Sequence, residues 1–311
     1  MQNPQRKPQK DGRKQHEPPP INPPDAPELP PVPNESEPEA PPERRRIPHF
    51  GHAVAFASFA GFLLIVFEIL LAALGKSPAA IKNGVIAVEH PMLQLAALAG
   101  TYLLTLLAAW FFFPALWRPS FLDGIQWHWS TARSQAARLI GLGLLLGIMM
   151  QIVTTFITPP KSLPVDQFFL TPLSAWAITL FGTIVAPVFE EICFRGFLFP
   201  AFAIAYDWLG MPRTDEARLH WRTTTSLTTS SLWFSGILTS LCFALLHADQ
   251  VANIGAALLG LFAVSLVLTW VRVQTQSVAA SAMVHAAYNG FVFLTVLVAT
   301  GGFRHLDRMP H

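Results

Sequence analysis

The run PLSAWAITLFGTIVAPVFEEICFRGFLFPAFAI, residues 172–204, decides the fold. It is longer than the about 20 helical residues that cross a bilayer core of about 30 Å. In its middle stand Glu190, Glu191 and Arg195. A plain membrane anchor excludes such groups, and a soluble core rarely buries three of them together. Gly182 and Pro187 lie inside the run, so a kink or a division into two spans is expected there.

The rest of the chain supports a membrane setting. Over 311 residues, 52% are hydrophobic and only 13% charged, with a mean hydropathy of +0.40. Soluble domains carry about a quarter charged residues, so the deficit puts lipid against much of the surface. The net charge of +2 and the lack of a basic patch interleaved with aromatics leave no case for a nucleic-acid partner. Cys193 and Cys242 both lie in apolar runs and read as small apolar residues rather than as a disulfide framework.

Segments long enough to span are 52–74, 92–113, 137–158, 172–204, 232–248, 253–271 and 277–300. The expected fold is an all-α, polytopic transmembrane bundle of seven spans, or eight if the fourth divides. Before it comes a Pro-rich tail, residues 1–48, with eight acidic and eight basic residues. Its prolines favour extended conformations, and the tail is read as a disordered, solvated spacer, with docking of a partner through its Pro-rich motifs as the alternative. The first strongly apolar run begins near Ala53, so no cleavable secretory signal is expected. Loop charge sets the orientation. Arg44, Arg45, Arg46, Arg118, Arg133, Arg138, Arg213, Arg218, Arg222 and Arg272 fall on one side, and Lys76, Lys82, Lys161, Arg304 and Arg308 on the other. Ten against five predicts a cytoplasmic N-terminus, in what is read as a bacterial plasma membrane. Trp117, Trp127 and Trp129 read as interfacial anchors.

Ionisable residues inside spans are costly and mark function. At 100° per residue, Glu191 and Arg195 share a helical face and are expected to pair, whereas Glu190 points about 140° away from Arg195. That leaves Glu190 directed toward a cavity, where a general base is needed. His285 and Asn289 share a face in the same way, and Phe243 is placed to pack beside His247. One carboxylate, two imidazoles and an amide can thus converge from three helices. Straight-helix counting leaves His247 about 10 Å from the level of Glu190. Glu68 has no evident partner and is read as an interhelical hydrogen-bonding group.

These residues form an ordered trio: EExxxR at Glu190 to Arg195, FxxxH at Phe243 to His247, and HxxxN at His285 to Asn289. The trio resembles the motifs of the CAAX protease and bacteriocin-processing (CPBP, or Abi) family, which includes the type 2 CAAX prenyl endopeptidases. The resemblance covers about residues 170–300 of a helical domain at 49–311. It implies an intramembrane endopeptidase acting on a protein or peptide substrate in the bilayer. Glu190 and His247 would activate water, His285 and Asn289 would stabilise the oxyanion, and Glu191, Arg195 and Phe243 would support them. It also favours catalysis without a cofactor, with a divalent metal such as zinc as the alternative. Two other classes use the same buried groups: a transporter or proton-coupled channel, and a non-catalytic membrane scaffold or immunity protein.

Overall fold

A computed structural model describes residues 46–74, 91–156 and 164–308. Residues 1–45 of the Pro-rich tail lie outside the described residues, as do Lys76, Lys82 and Lys161 of the charge comparison. All regular structure among the described residues is helical, and seven helices are long and apolar enough to cross a membrane. They are α1 (Phe50–Leu74), α2 (Pro91–Trp117), α3 (Ala136–Thr154), α4 (Pro172–Gly210), α5 (Thr229–Leu246), α6 (Gly255–Thr275) and α7 (Val278–Ala299). Helices satisfy every backbone N–H and C=O within one segment, which is what lipid demands.

Local chemistry starts these helices where it should. Thr171 accepts the Ser174 N–H at 3.2 Å with Pro172 at the first helical position of α4. Thr228 and Ser277 cap α5 and α7 in the same way. The fourth span is not divided. It runs unbroken and accommodates the expected kink as two π-helical turns, Phe181–Val185 and Ile192–Leu198, around the α-helical turn Ala186–Glu191.

In lipid, helices associate through close packing rather than water release, so small residues mark the contacts. α3 and α7 meet along Gly143 and Gly147. A Cβ on Gly143 would clash with the Val284 carbonyl oxygen and lie 2.6 Å from Ala287 Cβ. Gly143→Leu is therefore expected to push α3 off α7 and lower the unfolding temperature in detergent, at a cost of about 1–3 kcal/mol. Gly141→Leu, where an added Cβ meets nothing within 4 Å, should leave it unchanged.

A second cluster ties α1, α2 and α4 together through Phe56, Phe113, Trp117, Phe121 and Phe197. Trp117 is thus not the interfacial anchor expected. It is buried against these rings and donates its indole N–H to His52 Nε2 at 3.2 Å. Trp129 stays exposed, as an anchor requires.

Candidate active site

The polar residues of the fourth span divide as their helical angles require. Arg195 Nη1 donates to Glu191 Oε1 at 2.8 Å, and both side chains are fully buried. The guanidinium also reaches α6, where Arg195 Nη2 donates to Ser265 Oγ at 2.7 Å and to the Ser265 carbonyl at 2.8 Å. It lies over the Phe243 ring as well, 5.2 Å from its centroid. Ser265 is a residue that sequence spacing does not reveal, because a serine in an apolar helix carries no sign of its cross-helix partner.

Glu191 Oε1 has a second partner, His285 Nδ1 of α7, at 2.9 Å. An ionised carboxylate only accepts, so Nδ1 carries the proton and the ring acts through Nε2. That atom faces Glu190 Oε2 at 3.7 Å. His247, just past the end of α5, turns Nδ1 back to the Phe243 carbonyl at 2.8 Å and also presents Nε2 to Glu190 Oε2 at 3.7 Å. The same logic puts the His247 proton on Nδ1 and leaves Nε2 as an acceptor. Phe243 stacks on the His247 ring at 4.3 Å between centroids, and so fixes its plane.

The axial gap expected between His247 and Glu190 is absent. The fifth helix begins at Thr229, earlier than expected, so its boundary is not what closes the gap. Each π turn in α4 takes up an extra residue without a matching advance along the axis, which a straight-helix count ignores.

Asn289 completes the set from α7. Its Nδ2 donates to the Gly182 carbonyl at 2.7 Å. That carbonyl stands in the first π turn, and the residue one π turn ahead is Pro187, which has no N–H to give it. Gly182 also packs close to α7: a Cβ there would meet the Phe293 ring at 2.6 Å. The Pro187 and Gly182 that looked like helix breakers thus supply an acceptor and the room to reach it.

Glu190, His247, His285 and Asn289 line one cavity of about 470 Å³, together with Tyr102, Gln94, Gln167, Gln250 and Glu68. Glu68 does not bond to another helix as expected; among the described residues it makes no hydrogen bond or ion pair. Among the same residues, no group of three His, Cys, Asp or Glu side chains is arranged to hold a metal ion.

Seven helices among the described residues are long and apolar enough to cross a membrane and define an integral membrane protein, with a carboxylate–imidazole cluster between its spans. Residues 172–291 match the family model of the Rce1-like type II CAAX prenyl endopeptidases, to which this part of the chain is similar. All three motifs lie inside the match, and α1–α3 lie outside it. No curated protein and no solved structure matches the chain.

Proposed function

We propose that this protein hydrolyses peptide bonds of a membrane-associated protein or peptide, using a water activated by Glu190 and His247. The observation that carries the reading is the disposition of three atoms. Glu190 Oε2 stands 3.7 Å from both His247 Nε2 and His285 Nε2, too far for a direct hydrogen bond and close enough for one water to touch two of them. A water held by Glu190 and His247 donates to two acceptors and turns a lone pair toward the substrate carbonyl.

Its oxygen attacks the carbonyl carbon while its proton passes to Glu190. The resulting oxyanion is met by the second N–H of the Asn289 amide and by His285 Nε2. For His285 to donate there, its ring must carry two protons. Collapse of the intermediate breaks the C–N bond, and the proton held by Glu190 goes to the leaving amine. No step is routed through a metal.

We also place the mouth of the cavity on the non-cytoplasmic face. Gln167 and Gln250 line it from the connections that follow α3 and α5. Those connections alternate with the arginine-bearing ones, which the positive-inside rule assigns to the cytoplasm.

The test compares new protein N-termini in membranes of cells expressing the unaltered chain or Glu190→Ala. New termini confined to the unaltered chain are expected, and the purified protein should keep its rate after treatment with a zinc chelator. Identical termini in both cells would end the proteolytic reading, and loss of rate to the chelator would end the metal-free one.

A further inference from the structure

We infer that Glu68 selects the substrate, by receiving the cationic side chain of a lysine or arginine close to the bond that is cut. The inference rests on the proteolytic reading above and adds to it the charge of the substrate.

Glu68 sits in α1, the most apolar of the seven spans, where a carboxylate is costly. Intramembrane carboxylates are ordinarily compensated by a partner on a neighbouring helix. None of the described residues supplies one to Glu68. Instead the side chain lines the same cavity as Glu190, His247 and His285. A carboxylate in a span with no partner among the described residues, and turned to a substrate cavity, is arranged to meet its partner on the substrate.

The rest of the lining agrees. Among the described residues that form the cavity wall, Glu68 and Glu190 are the acids, and there is no lysine or arginine. Arg195, the guanidinium nearest in sequence to the catalytic pair, is turned away to Glu191 and Ser265 and is fully buried. Among the described residues the cavity wall therefore carries carboxylates and no lysine or arginine, and low-dielectric walls focus its field. Gln94 and Gln167 add amide groups to the same wall, with Gln167 Nε2 donating to Gln94 Oε1 at 3.0 Å.

Glu68 and Gln94 belong to α1 and α2, outside residues 172–291. The Rce1-like domain thus provides the hydrolytic groups, and the helices before it provide the charge that chooses among peptides.

The experiment reconstitutes the full-length protein in liposomes and presents a synthetic peptide library, with cleavage sites mapped by mass spectrometry. Glu190→Ala sets the background. Sites cut by the unaltered protein should be enriched for lysine or arginine at one position near the cut. Glu68→Gln, nearly the same shape and without the charge, should lower kcat/KM on those peptides about tenfold and leave neutral peptides unchanged. Glu68→Lys should move the preference to aspartate or glutamate at that position. Cleavage without a basic preference, or a preference that Glu68→Gln leaves intact, overturns the assignment of Glu68. No cleavage above the Glu190→Ala background overturns the proteolytic reading, and this inference with it.

Discussion

Glu190→Gln is expected to hydrolyse peptide about 10²–10⁴-fold more slowly than the unaltered protein while folding as it does. The amide keeps the size of the carboxylate but cannot take a proton from water. The fold should tolerate the change because, among the described residues, Glu190 makes no direct hydrogen bond: His247 and His285 each stand 3.7 Å from it. His247→Ala should lose a similar factor, since it removes the second acceptor that orients the same water. Two groups that hold one water act as a unit, so the double variant should lose little more than either single one. Single-turnover kinetics on a fluorogenic peptide reads all three. Full rates in both single variants would remove the water-activation mechanism.

Arg195→Met is expected to lower stability by about 3–5 kcal/mol, because it leaves the Glu191 carboxylate buried without its counter-charge. Glu191→Leu should do comparable damage from the other side of the pair. Combining the two replaces a buried ion pair by apolar groups, a change that is often neutral, so the double variant should recover most of the lost stability. It should not recover activity, because His285 Nδ1 no longer has the Glu191 oxygen that holds its ring toward Glu190. Unfolding in detergent together with peptide hydrolysis separates the two effects. Equal stability of the single variants and the unaltered protein would show that the pair does not hold the helices.

How much of this site is legible in the chain depends on how far apart the interacting groups stand. Glu191 and Arg195 are four residues apart on one helix, and helical periodicity alone predicts their pairing and the different direction of Glu190. The same periodicity puts His285 with Asn289 and Phe243 with His247. The seven spans follow from the length and composition of apolar runs, which the bilayer itself dictates. Even Pro187 and Gly182 announce an irregular helix, though not its form.

What the spacing does not carry is any contact between helices. Ser265 as a ligand of Arg195, the Gly182 carbonyl as the acceptor for Asn289, and Trp117 as a buried ring all arise from α6, α4, α7 and the α1–α2 pair meeting in space. Glu68 is the clearest case. Its presence in a membrane helix marks it as unusual, but a single carboxylate reads the same whether it bonds to a neighbour or faces a cavity. By itself the sequence determined the number of spans, the local pairs and the catalytic candidates, because each depends on residues within a few turns of one helix. The tertiary structure alone decided which imidazole nitrogen faces Glu190 and that Glu68 shares its cavity. Those facts depend on the relative rotation and depth of separate helices, and two π turns are enough to change both.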